Sequence, residues 1–263
     1  MGKTSLALSA AQHAAVDLEN PTNTVIFSLE MTGSRVAQRL IASRARFDAN
    51  RDRTGGIDEE DERRLKEAAE ELDVSPLYID DSPRLSVEEI ADKCRHLQEE
   101  SGLGLVVVDY LQLLQSRNRK PPSSATRERE LGQMTRSLKA LAKELNVPII
   151  VLSQLNREVE NRGGTKRPQL TDLLGSGSIE QDADVVAFVY RAERYGITLD
   201  EQGNSTEGVA EIIVAKQRHG PVGTVKLAFQ KQYGRFDPLS ELERSPDDQD
   251  RSGGPSFEDD APF

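Results

Sequence analysis

Short, continuous apolar runs alternate along the chain with longer stretches whose apolar positions recur every three or four residues. The runs at Thr24–Leu29, Leu77–Asp80, Leu105–Asp109, Pro148–Ser153 and Val185–Tyr190 are mostly short and β-branched, as expected of buried parallel strands. Two more, Glu211–Ala215 and Thr224–Phe229, come late and have no helical stretch between them. Helical spacing follows Thr4, begins again near Ser34, covers Asp58–Leu72 and resumes at Ser86, where Glu89 three residues on predicts a capping box. It is clearest from about Arg127 to Leu145, with Leu131, Met134, Leu138, Leu141 and Leu145 on one face. This alternation predicts an α/β fold with a mostly parallel, doubly wound sheet and helices on both faces. The last strands, which lack crossover helices, predict an antiparallel extension of that sheet.

Three segments break the pattern and are expected to be mobile. Ser116–Arg129 is basic and holds Pro121-Pro122; Asn156–Pro168 holds Gly163-Gly164 and several bases; the end of the chain is acidic and poor in large apolar residues. The expected division is one domain over 1–237 and an acidic disordered tail over 238–263. A chain of 263 residues, 36 % apolar and 30 % charged, suits one large domain. No run approaches the roughly 18 apolar residues of a membrane span, so no membrane is expected. The single cysteine, Cys94, excludes an internal disulfide framework, and a cytoplasmic location is the expectation. The net charge of −11 argues against a nucleic-acid partner. That objection weakens because Asp247, Asp248, Asp250, Glu258, Asp259 and Asp260 sit together between Ser245 and Phe263, against Arg251 alone.

The chain opens Met1-Gly2-Lys3-Thr4-Ser5, the back half of a phosphate loop, G-x-x-x-x-G-K-[ST]. Backbone N–H groups of such a loop and of its helix point at phosphate oxygens. Lys3 is expected on the β- and γ-phosphates and the Thr4 hydroxyl on Mg²⁺. The first glycine of the motif falls before residue 1, which predicts weak phosphate binding by these residues alone. Two later runs end in acids, Glu30 and Asp109, where ligands of open α/β sheets gather. Behind a phosphate loop, Asp109 suits the metal and Glu30 the attacking water. A third run leads into Gln154, an amide able to sense the γ-phosphate. Taken singly, either acid is as readily an ordinary turn residue, and Gln154 is more readily one.

Five ordered stretches are more specific. Phe27-Ser28-Leu29-Glu30-Met31, Val107-Val108-Asp109-Tyr110-Leu111-Gln112, Leu152-Ser153-Gln154-Leu155-Asn156-Arg157, Gly177-Ser178-Ile179-Glu180-Gln181-Asp182-Ala183-Asp184 and Ala215-Lys216-Gln217-Arg218-His219-Gly220-Pro221 resemble the motor domain of DnaB-type replicative helicases, over roughly residues 1–237. The resemblance implies a RecA-like P-loop NTPase fold, a homo-hexameric ring around single-stranded DNA, and ATP with Mg²⁺ between neighbouring subunits. It implies Gly2, Lys3, Thr4 and Ser5 around the nucleotide, Glu30 as catalytic base, Asp109 on the metal side and Arg39 near the nucleotide. Gln154 is implied to couple nucleotide state to the DNA loops. Lys216, Gln217 and Arg218 are implied at the neighbour's site, Arg218 as the arginine finger.

The sequence departs from the family at the DNA loop, where Leu174 and Gly175 replace an arginine and a glutamate. Backbone N–H groups at Gly175 and Gly177 remain available to phosphates. Arg162, Lys166 and Arg167 are candidates to restore the lost charge. His219 stands where the family often has Asn. The last residues, Phe257-Glu258-Asp259-Asp260-Ala261-Pro262-Phe263, resemble the acidic tip of bacterial single-stranded-DNA-binding proteins and imply a replication partner; the plainer reading is a solubilising tail. Two other functions stay open: a catalytically impaired chain that joins rings or binds DNA or a partner, and a RecA-like recombinase or repair ATPase.

Overall fold

The computed structural model describes residues 2–17, 19–48, 51, 56–115, 124–156, 158–173 and 176–241. Among the described residues, eight strands form two sheets of four. The first holds β1 (Thr24–Ser28), β2 (Leu77–Asp80), β3 (Leu105–Asp109) and β4 (Ile149–Val151), all parallel, in the order β2-β1-β3-β4. The second holds β5 (Val185–Tyr190), β6 (Val209–Gln217), β7 (Gly223–Gln230) and β8 (Arg235–Pro238), all antiparallel, in chain order. The antiparallel strands thus form a sheet of their own. Val185–Tyr190, expected among the parallel strands, belongs to that sheet because β6 returns directly beside it without a crossover helix.

Alternation along β1 and β3 explains the layers. Val25, Phe27, Val106 and Val108 face one core with α4 (Val87–Ser101) and α5 (Ser124–Leu145); Val186 and Phe188 of β5 enter the same core. Ile26, Leu105 and Val107 face the other, with α1 (Lys3–Gln12) and α2 (Gly33–Arg44). Helices on both faces leave these strands with no polar side to show, which is why they read as unbroken apolar runs.

The helix starts follow from their caps. Asp58 accepts from the Asp61 N–H at 2.8 Å and opens α3 (Glu59–Asp73), whose first turn is acidic. At α4, Ser86 and Glu89 form the capping box reciprocally, at 3.3 and 2.8 Å. Ser86→Ala is expected to cost about 1 kcal/mol, lowering the melting temperature by roughly 2–4 °C; thermal unfolding followed by circular dichroism measures it.

Two expected mobile segments hold structure. Helix α5 begins at Ser124, so Ser124–Arg129 is helical, with Arg127 donating to the Gln112 carbonyl. Asn156–Pro168 contains α6 (Glu158–Asn161), fastened by Arg162 to the buried Asp172. Strand β8 is unexpected, being too short and polar to stand out from its turn. The last helix, α7 (Ser176–Asp182), packs on α5 so closely that a Cβ on Gly132 would meet Ser178 Oγ at 2.5 Å. The basic stretch 116–123, Leu174, Gly175 and the tail from 242 lie outside the described residues.

Candidate active site

The carboxyl ends of β1, β3 and β4 converge on the start of α1. Gly2 caps that helix with φ 102°, a left-handed conformation that suits glycine. A Cβ there would press on Phe236 at 3.2 Å. Phe236 of β8 pairs with Phe229 of β7, ring centroids 4.8 Å apart, so the antiparallel sheet forms the floor under the phosphate-loop glycine.

Lys3 donates to the Ser153 carbonyl at 2.6 Å, just past β4, and Thr4 Oγ1 donates to Asp109 Oδ2 at 2.9 Å, at the end of β3. Ser28 lies opposite Asp109 in the parallel register, and Glu30 follows two residues later, so both acids share one edge. Asp109 is only 5 % exposed, whereas Glu30 and Arg39 are exposed. Burial raises the Asp109 carboxyl above the usual carboxylate range, opposed by the Thr4 hydrogen bond and reinforced by Glu30, while Lys3 and Arg39 act to lower it. Burial lowers the Lys3 ammonium, opposed by Asp109 and Glu30.

These shifts have a consequence for stability. A carboxyl whose folded pKa is raised contributes stability below its unfolded pKa and loses it as pH rises through the folded value. At neutral pH the ionised Asp109 is therefore a cost to the free fold. Asp109→Asn is expected to melt above the parent at pH 7 when no nucleotide or magnesium is added. Any stabilisation that added Mg²⁺ and nucleoside triphosphate bring is expected to be lost with it; calorimetry with and without them tests both.

A cleft of about 1490 Å³ opens beside this edge, lined by Gly2, Lys3, Thr4, Ser5, Arg35, Arg39, Arg191, Arg194 and Lys231, against Glu193 and Glu207. A chain of net charge −11 thus keeps a basic cleft. The hairpin tip between β7 and β8 reaches the same place: Tyr233 and Gly234 line the cleft, and a Cβ on Gly234 would lie 3.6 Å from Ser5 Oγ. Arg191 stacks over Phe229, 4.0 Å from its centroid, and pairs with Glu193.

Two residues quoted only within motifs tie the edge together. Gln112 Nε2 donates to Ser153 Oγ at 2.8 Å, and Gln112 Oε1 accepts from the Gln154 N–H at 3.3 Å. Gln154 is exposed. Only its place after β4 could have pointed to this network, since an amide and a hydroxyl 41 residues apart leave no pattern.

The hydroxyl of Thr4 beside the carboxylate of Asp109 is a hard-oxygen pair, suited to Mg²⁺, which takes few protein ligands and completes its shell with water and phosphate. Among the described residues no cluster of three or more His, Cys, Asp or Glu offers an all-protein metal site.

Lys216, Gln217 and Arg218 lie elsewhere, at the end of β6. Lys216 donates to the Glu180 and Gln181 carbonyls, and Arg218 Nη2 donates to the Gln181 carbonyl at 3.2 Å. They do not line the cleft of their own chain. Gly177 sits in the first turn of α7, exposed and with open space around it. Of the three bases Arg162, Lys166 and Arg167, Arg162 pairs with Asp172 and Arg167 with Glu211, while Lys166 lies 5.4 Å over the Tyr195 ring.

Residues 1–238 match the family of DnaB-like helicase C-terminal domains. The chain belongs to that family. It is 47 % identical over 236 residues to the replicative DNA helicase DnaB of Geobacillus stearothermophilus, covering 90 % of this chain and 50 % of that one. It is 46 % identical over 248 residues to the replicative DNA helicase DnaC of Bacillus subtilis, covering 94 % and 52 %. The chain therefore spans about half the length of the curated relatives it matches. A solved DnaB-like replicative helicase, described with its interactions with primase, superposes with TM-score 0.80 at 38 % identity, over 91 % of this chain and 56 % of that one. The fold is the RecA-like one of DnaB-type ATPase domains, with the antiparallel strands in a separate sheet.

Proposed function

We propose that this chain is the ATP-hydrolysing motor of a replicative DNA helicase, working in the cytoplasm as a homo-hexameric ring that moves along single-stranded DNA and unwinds duplex. The observation that carries this reading is the meeting of Lys3, Thr4, Asp109 and Glu30 at one sheet edge, in a member of the DnaB-like family.

In this reading Gly2, Lys3 and Ser5 hold the phosphates, and Arg39 faces them across the cleft. Thr4 and Asp109 would hold Mg²⁺, which neutralises charge on the β- and γ-phosphates when bound. Glu30 accepts the proton of the attacking water. Gln112 and Ser153 fix the strand end that carries Gln154, so that loss of the γ-phosphate is felt beyond β4. Lys216 and Arg218, which do not line their own cleft, serve a neighbour's, with Gln217 between them. Single-stranded DNA binds by backbone N–H groups at Gly177 and Gly175, with Leu174 adding no charge and Lys166 supplying the base its neighbours have committed to carboxylates. The acidic, Phe-terminated tail recruits a replication partner.

The test is ATP hydrolysis by this chain beside a version extended upstream to complete the phosphate loop, each with and without single-stranded DNA. DNA-stimulated turnover by the extended version is expected. No turnover by either, at concentrations where rings assemble, sinks the motor reading in favour of a non-catalytic, ring-joining module.

A further inference from the structure

We infer that Asp184 is the residue that positions the Arg218 guanidinium for its work at the neighbouring subunit; the inference rests on the proposed role of Arg218.

An arginine that leaves the end of a strand has many rotamers, and a single productive one must be selected. Arg218 stands one residue beyond β6 and is 45 % exposed, so packing does not select it. Its contacts do. The Arg218 backbone N–H donates to the Asp184 carbonyl at 2.8 Å, which pins the main chain to the start of β5. Its Nε lies 3.6 Å from Asp184 Oδ1, and its Nη2 donates to the Gln181 carbonyl. That carbonyl is free to accept because the last four carbonyls of a helix have no partner within it. Lys216 uses the same helix end, through Glu180 and Gln181.

Asp184 is itself held. Its other oxygen pairs with Lys139 of α5, and one turn earlier on α5 Thr135 Oγ1 donates to Asp182 Oδ2 at 2.8 Å. Close packing of Gly132 on Ser178 completes the clamp. Helix α5, the longest in the described chain, thus orients α7 and Asp184, and Asp184 orients the arginine. The charges are too exposed for this ion-pair chain to matter much to folding. Orientation is a different quantity: displacing a catalytic group by about 1 Å can cost 10²-fold in rate.

The experiment uses ring-forming subunits extended to complete the phosphate loop. Asp184→Asn is expected to lower kcat for ATP by roughly 10- to 100-fold, with KM, melting temperature and ring assembly unchanged. Such subunits are then co-assembled with Lys3→Ala subunits, whose own sites are dead but whose Asp184 and Arg218 are intact. Hydrolysis per Asp184→Asn subunit is expected to rise several-fold in the mixed rings, because an intact neighbour supplies a positioned arginine. A merely structural role of Asp184 within its own subunit gives no such rescue. Arg218→Ala subunits are mixed with Lys3→Ala subunits in parallel. If these are impaired and rescued while Asp184→Asn is fully active, or is impaired without rescue, the positioning role is overturned and the role of Arg218 stands. If Arg218→Ala is unimpaired, or is not rescued, the neighbour-site reading fails and this inference with it.

Discussion

Arg218→Ala is expected to slow ATP hydrolysis in the assembled ring by about 10³- to 10⁵-fold while leaving nucleotide affinity within a few-fold of the parent. Phosphoryl transfer spreads charge over the equatorial oxygens, and a guanidinium set against them stabilises the transition state more than the bound substrate. Within its own chain Arg218 donates to the Gln181 carbonyl and lies beside the Asp184 carboxylate, and it does not line the cleft that holds Lys3 and Thr4. A residue so placed has nothing to contribute to nucleotide binding by its own subunit, so the loss should fall on kcat. Arg218→Lys should recover little, since an ammonium lacks the planar fork that fits phosphoryl oxygens. Steady-state hydrolysis together with equilibrium nucleotide binding separates the two quantities; a loss confined to affinity would place Arg218 in the binding cleft instead.

Glu30→Gln is expected to lower kcat by about 10²- to 10⁴-fold, again with nucleotide binding retained. The amide keeps the size and hydrogen-bonding reach of the carboxylate but accepts no proton. Glu30 is exposed beyond the end of β1, whereas Asp109 is buried against Thr4 at the end of β3. In the proposed function that contrast divides the work: the buried acid, committed to a hydroxyl and beside Lys3, takes the cation, and the exposed acid the water. Activity of Glu30→Gln within a few-fold of the parent would remove it from the chemistry and leave Asp109 as the one essential acid.

The parallel sheet was legible because its strands lie between helical layers, so Val25–Phe27 and Leu105–Val108 are uninterrupted apolar runs, with Asp109 closing β3 and Glu30 two residues beyond β1. The cap of α4 was legible because a capping box is written in two residues at a fixed spacing. The second sheet was less so. Its strands β6 and β7 run longer than their apolar segments, to Gln217 and Gln230, because Thr224 and Lys226 are exposed while the half-buried Glu211 and Lys216 find partners in Arg167 and the Glu180 carbonyl. Strand β8 carries Arg235 and Asp237, an ion pair within one short strand, and only its pairing with β7 reveals it. At the site, the phosphate-loop residues and the two acids stood at positions that strand ends dictate. Gln112–Ser153, the Phe229–Phe236 floor beneath Gly2 and the Asp184–Arg218 contact are long-range pairings set by how elements pack, and nothing local in the chain announces them. The basic cleft was hidden for a related reason, since a net charge of −11 averages over a fold that gathers Arg35, Arg39, Arg191 and Arg194 around one opening.

Hydrolysis at an interface between subunits is tested by specific ATPase activity measured against protein concentration, on the chain extended to complete its phosphate loop, with assembly followed in the same samples by light scattering. Turnover per subunit is expected to be negligible for monomers, to rise steeply as rings form, and to rise further with single-stranded DNA. Constant turnover per subunit across that range, monomers included, would contradict hydrolysis at the interface, for then each cleft would hydrolyse ATP without an arginine from its neighbour.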